Sequence, residues 1–174
     1  GQDELFVSCK HERKIYSFVH WVVMVFTFVL FKIFVTPVKS IQLFKIDKLF
    51  APEILSKSQA HRDRKHWELP LDFLPILADR CREKGIQFSC TPFYIEAVDE
   101  LNDYVDFFKI ASYELLWDDL LIACAKTKKP LILSTGMATM DEIEHAVTVI
   151  RENGCQKLTL LHCTSAYPTP HNEA

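Results

Sequence analysis

Glycine is scarce in this chain: four residues in 174, at positions 1, 85, 136 and 154. Three of the four fall where an apolar run meets a helical stretch, which is where a chain turns between elements. No low-complexity segment and no short repeat is present, so linker-like and repeat architectures are set aside. Metal-finger and disulfide patterns are missing too. The six cysteines, at 9, 81, 90, 124, 155 and 163, form no CxxC pair and match no zinc or disulfide spacing. Cys90, Cys124 and Cys163 lie inside apolar runs, which predicts buried, reduced thiols and a reducing compartment. There is no basic field: the formal net charge is -3, and no arginine-rich segment occurs. That excludes a nucleic-acid-binding surface built on charge. The chain begins with Gly rather than Met, as a fragment would.

What is present is apolar. Hydrophobic residues make up 49% of the sequence, which permits one globular domain with a substantial core. The organising stretch is Pro130-Leu131-Ile132-Leu133-Ser134-Thr135-Gly136-Met137. A short apolar run that ends in Ser, Thr and Gly suits a buried strand of a parallel sheet, with donors exposed at its carboxyl end. Ligands of such sheets bind there, although Ser134 or Thr135 could equally cap the next helix. The pattern recurs in Ser40–Lys45, Gly85–Phe93, Val105–Ser112 and Leu158–Pro168. Each run is followed by an amphipathic stretch, which predicts serial βα units with polar residues gathered at one end of the sheet.

Taken in order, residues 1–14 are polar and mixed in charge. Residues 15–37 are strongly apolar and about as long as a bilayer span, which needs roughly 20 residues. Lysines flank both sides, so the positive-inside rule gives no orientation. The segment reads either as an apolar helix of transmembrane character or as an aberrant first βα unit. Residues 38–174 carry the globular pattern. The charged stretch Ser56–Pro70 is expected to be a solvated loop and helix face. Helices are expected over Leu71–Lys84, Glu96–Asp103, Leu116–Thr127 and Thr139–Asn153, the last opened by a Thr139/Glu142 capping box. Five strands fit about strands 2 to 6 of an incomplete TIM (β/α) barrel, whose full form takes about 250 residues.

Four ordered motifs then carry a resemblance: Gly-Ile-Gln-Phe-Ser-Cys-Thr-Pro-Phe, Phe-Lys-Ile-Ala-Ser, Leu-Ser-Thr-Gly-Met-Ala-Thr and Leu-Leu-His-Cys-Thr-Ser-Ala-Tyr-Pro-Thr-Pro. Over Gln42–Ala174 the chain closely resembles the N-acetylneuraminate (sialic acid) synthase family. The resemblance implies a TIM-barrel catalytic domain and a homodimer. It also implies condensation of phosphoenolpyruvate with N-acetylmannosamine or a related amino sugar, with release of phosphate. A divalent metal, manganese or magnesium, would polarise the sugar aldehyde, and its histidine ligands would lie beyond Ala174. By the same resemblance Thr91, Lys109, Ser112, Ser134 and Ser165 match positions that hold phosphoenolpyruvate. Gln42 and Tyr167 match positions near the sugar, and Lys109 and Tyr167 are the expected catalytic residues.

The residues support part of this independently. Phosphoenolpyruvate carries a carboxylate and a phosphate, so its site needs lysine, hydroxyls and free N–H groups in a dry pocket. Lys109 stands between Phe108 and Ile110, and a lysine buried in a strand calls for an anion, unless it snorkels to water. Tyr167 could instead be a packed loop aromatic before Pro168, and His162 reads as structural. Three departures stand out. Ser40 occupies the place of the family's first phosphoenolpyruvate lysine, and Lys39, one residue away, belongs to the other face of the strand. The first strand, with its sugar-binding glutamate, is not found, and the family's metal histidines and last strands are not within the sequence up to Ala174. The expectation is a cytoplasmic enzyme fragment with little turnover alone. The alternative from another class is a membrane-tethered, non-catalytic barrel remnant. A barrel enzyme using a different aldose is a third reading, which the Ser-Ala-Tyr-Pro and Ser-Thr-Gly-Met motifs argue against.

Overall fold

The computed structural model describes residues 7–9 and 38–164. The apolar segment 15–37, Ser165 and Tyr167 lie outside them. Six parallel strands form one sheet: β1 (Val7–Cys9), β2 (Val38–Leu43), β3 (Gln87–Pro92), β4 (Phe107–Ile110), β5 (Leu131–Ser134) and β6 (Leu158–Cys163). Their order is β1-β6-β5-β4-β3-β2. From β2 to β6 each strand therefore pairs with the next in sequence, as successive βα units must.

The crossovers carry the helices. Three short helices, α1 (Ile46–Leu49), α2 (Pro52–Lys57) and α3 (Gln59–Asp63), a 3₁₀ turn (Arg64–Trp67) and α4 (Phe73–Glu83) join β2 to β3. Helix α5 (Glu96–Asn102) joins β3 to β4. A 3₁₀ turn (Ser112–Glu114) and α6 (Asp118–Lys126) lead to β5, and α7 (Met140–Glu152) leads to β6. The Thr139/Glu142 capping box at the start of α7 is complete, with each side chain bonding the other's backbone N–H.

One core lies between the sheet and these helices. Phe88, Cys90, Phe108, Ile110, Leu131 and Leu133 belong to it, packed against Leu101, Leu120, Leu121, Cys124, Ala146 and Ile150. Every second strand residue points there. The register pairs Cys90 with Phe108, Phe108 with Leu131 and Ile110 with Leu133, so the apolar positions run level across three strands.

Two expectations change. No strand was foreseen in residues 1–14, yet β1 pairs with β6, Val7 opposite Leu161 and Cys9 opposite Cys163. A three-residue Val-Ser-Cys segment leaves no periodic signal in the sequence, but it gives the β6 edge hydrogen-bond partners it would otherwise lack. This strand is on the far side of the sheet from β2. The charged stretch 56–70 is mostly exposed as expected, but Arg64 is buried. Trp67 packs with Phe50, Leu55 and Phe93 around Phe44 and Ile46, which makes a second, smaller core under the long β2–β3 connection.

Candidate functional site at the strand exits

The sheet face turned away from the helices is polar at its carboxyl end. Gln42 stands opposite Thr91 in the β2–β3 register. One residue beyond the Cys90–Phe108 pair, Thr91 comes level with Lys109, which pairs with Ile132. Gln42, Thr91 and Lys109 thus form one row across three adjacent strands, which are spaced by about 4.8 Å. Ser134 lies on the same face two residues above Ile132. Thr91 is 1% exposed and Ser134 3% exposed, while Gln42, Lys109 and Ser112 are half-buried.

Ser112 opens the 3₁₀ turn after β4, and its Oγ accepts a hydrogen bond from the Gly136 N–H at 3.0 Å. This contact joins the exits of β4 and β5. Thr135 is held from β6: its N–H and its hydroxyl both donate to the Leu161 carbonyl, at 3.0 and 2.9 Å. Thr139 caps α7. Of the hydroxyls at the β5 exit, Ser134 alone has neither of these structural assignments. His162 is exposed and shares the strand parity of the core residues Leu158 and Leu160, so alternation turns it away from the polar row.

Two groups in this region escaped the sequence. Glu114, two residues after Ser112, has a buried Oε2 with no hydrogen-bond partner. Burial pushes its carboxyl up to about 7, against the opposing pulls of its own backbone N–H and the nearby Lys109 charge. The signal that could have found it is an acidic residue one short turn past a strand lysine. Ser89 lies below Thr91 on the same face, is fully buried, and its Oγ also has no partner. Its place inside the apolar-looking Gln-Phe-Ser-Cys run hid it.

Among the described residues no group of three His, Cys, Asp or Glu side chains could hold a metal ion. Also among them, no helix is long and apolar enough to cross a membrane. Four buried cysteines and the half-buried Cys163 are free thiols, and burial pushes Cys124 up to about 12, far from a reactive thiolate.

A parallel βα sheet with a lysine, hydroxyls and an amide gathered at its carboxyl end has the layout of a βα-barrel ligand site. The model of the NeuB family matches residues 36–174, and the chain belongs to that family. It is 45% identical over 109 residues to the N,N'-diacetyllegionaminic acid synthase of Campylobacter jejuni, covering 61% of this chain and 33% of that one. An uncharacterised protein of Methanocaldococcus jannaschii is 44% identical over 121 residues, covering 69% of this chain and 36% of its own length. Among solved structures, the N-acetylneuraminic acid (sialic acid) synthetase of Leptospira borgpetersenii, in complex with citrate, superposes with a TM-score of 0.70 at 28% identity. That match covers 88% of this chain and 51% of the other. The chain thus spans about a third of the curated relatives' length and half of the solved one.

Proposed function

We propose that the strand exits of this chain hold phosphoenolpyruvate for condensation with N-acetylmannosamine or a related N-acyl amino sugar, as part of a homodimeric, cytoplasmic sialic-acid-type synthase. The observation that carries this reading is the Gln42–Thr91–Lys109 row on the polar face. In it a strand lysine stands beside a buried hydroxyl at the end of the sheet where ligands enter.

The division of labour follows from the side chains. Lys109 places its ammonium where the ligand's phosphate and carboxylate bring negative charge. Thr91, Ser112 and Ser134 donate hydroxyl hydrogen bonds to the same oxygens, and low exposure strengthens each of them. Ser165, outside the described residues, is assigned to the same ligand, and Gln42 and Tyr167 to the sugar. In the reaction, the enol carbon of phosphoenolpyruvate forms a C–C bond to the sugar aldehyde carbon. Water adds to the phosphate-bearing carbon, and the C–O bond to phosphate breaks. Glu114 holds a proton on its carboxyl near neutral pH and can give it to the oxygen that develops charge as the aldehyde is attacked. A divalent metal belongs to this chemistry by family, and among the described residues no group of three His, Cys, Asp or Glu side chains would hold it.

The test is direct. The full chain is titrated with phosphoenolpyruvate by calorimetry, then assayed for phosphate release with the sugar and manganese. Saturable phosphoenolpyruvate binding that is lost in Lys109→Met supports the assignment. Undiminished binding in that variant refutes it.

A further inference from the structure

The contact between the β4 and β5 exits has a direction. A serine hydroxyl has one proton and two lone pairs. At Ser112 one lone pair is taken by the Gly136 N–H, 3.0 Å away. The hydroxyl proton must therefore point elsewhere, and among the described residues no acceptor is found for it.

Gly136 is held for this purpose from both sides. On one side Thr135 is tied twice to the Leu161 carbonyl. On the other, Met137 has φ 67, a left-handed conformation that a side-chain-bearing residue keeps only where its surroundings impose it. Gly136 itself needs glycine for space. A Cβ there would stand 2.9 Å from Ser112 Oγ, closer than side-chain carbons come, and 3.1 Å from the Cys163 carbonyl oxygen, tighter than most such contacts.

We propose that Gly136 is a positioning residue: its N–H, fixed by the absence of a side chain, turns the Ser112 hydroxyl into an outward donor. The hydroxyl proton at Ser112 is then available to a ligand acceptor, such as an anionic oxygen of a phosphate or carboxylate. This rests on the reading of the strand exits as an anion site and adds the residue that orients one of its donors.

Binding of phosphoenolpyruvate, inorganic phosphate and pyruvate to the full chain tests it, with Ser112→Ala, Gly136→Ala and the double variant. Ser112→Ala and Gly136→Ala should each weaken binding about 10-fold. Because both remove the same oriented donor, the double variant should be no weaker than Gly136→Ala. Losses that multiply, or a folded Gly136→Ala that binds like the parent, overturn the proposal. Should Gly136→Ala fail to fold, the Gly136 amide resonance decides. It should shift downfield as phosphate is added to the parent chain, because the relay polarises, and stay still in Ser112→Ala. An unmoved amide in the parent overturns the proposal. Phosphate or pyruvate binding with this dependence, but no phosphoenolpyruvate binding, supports the relay and overturns the proposed function. Absence of binding by all three probes overturns both.

Discussion

The two faces of one sheet are made from the same three strands, β3 to β5, and behave as different materials. On the helix side Phe88, Cys90, Phe108, Ile110 and Leu133 are at most 1% exposed and belong to one hydrophobic core. One residue along each strand, the other face carries Ser89, Thr91, Lys109 and Ser134. The strand's two-residue period separates these roles without separating the residues in sequence. Burial on the first face stabilises the fold. The polar groups kept on the second and in the turn beyond β4, Ser89 Oγ and Glu114 Oε2 among them without a partner, lower its stability and give a ligand something to bind. Adjacent residues should therefore fail in opposite ways when altered.

The largest expected effect is on the apolar face. Phe108 is fully buried between β3 and β5. Phe108→Ala deletes a ring from the centre of the core and should cost about 3–5 kcal/mol of stability, read as a shift in the urea midpoint. A loss below about 1 kcal/mol would show that the sheet and helices are not packed as one core, and the contrast between faces would dissolve.

Its neighbour should behave otherwise. Lys109→Met keeps the length of the side chain and removes its charge. Folding stability should move by less than about 1 kcal/mol, since no core contact is lost. Affinity for phosphoenolpyruvate should fall about 100-fold, the scale of a lost charge-assisted interaction. A variant that is mainly destabilised, with affinity intact, would place Lys109 among the structural residues and break the comparison where it is sharpest.

How much of this could be read in advance depended on how local the determinant is. The five strands β2–β6 announce themselves as apolar runs, and the α7 cap is written in four consecutive residues. The Ser40 and Lys39 positions also follow from strand parity alone, since Ser40 pairs with Ser89 and Lys39 with Phe88. The β2–β3 connection was harder, because helix α2 has no fully buried residue, only the half-buried Leu55, and so leaves no hydrophobic period to detect. Its anchor, Trp67 on Phe44 and Ile46, is a contact across some twenty residues. Strand β1 depends wholly on a partner strand at the other end of the chain. Glu114 was missed for a related reason: Ser-Tyr-Glu reads as a polar turn, and only the 3₁₀ geometry alternates Tyr113 outward, at 71% exposure, with Glu114 inward.

That last residue offers the finest test of the contrast, because it places a titratable group on the polar side. Burial raises the Glu114 carboxyl from its ordinary 4.5 to about 7, with Lys109 pulling the other way. A carboxyl raised in the folded state binds its proton more tightly there than in the unfolded chain. Its contribution to stability is therefore complete below about 4.5 and disappears as pH rises through about 7. Glu114→Gln removes the ionisation. It should match the parent near pH 4.5 and exceed it by about 1–2 kcal/mol at pH 8, a figure reduced for the partial exposure of the group. Ligand affinity supplies a second reading. As Glu114 ionises beside a bound anion, phosphoenolpyruvate should bind the parent more weakly above pH 7. The second ionisation of a phosphate ester, near 6, is by then largely complete and does not account for a change there. In Glu114→Gln that decline should flatten. Parallel pH curves for parent and variant, in both stability and affinity, would mean that the Glu114 carboxyl reaches water, and the polar face would then hold one buried acid fewer than its geometry implies.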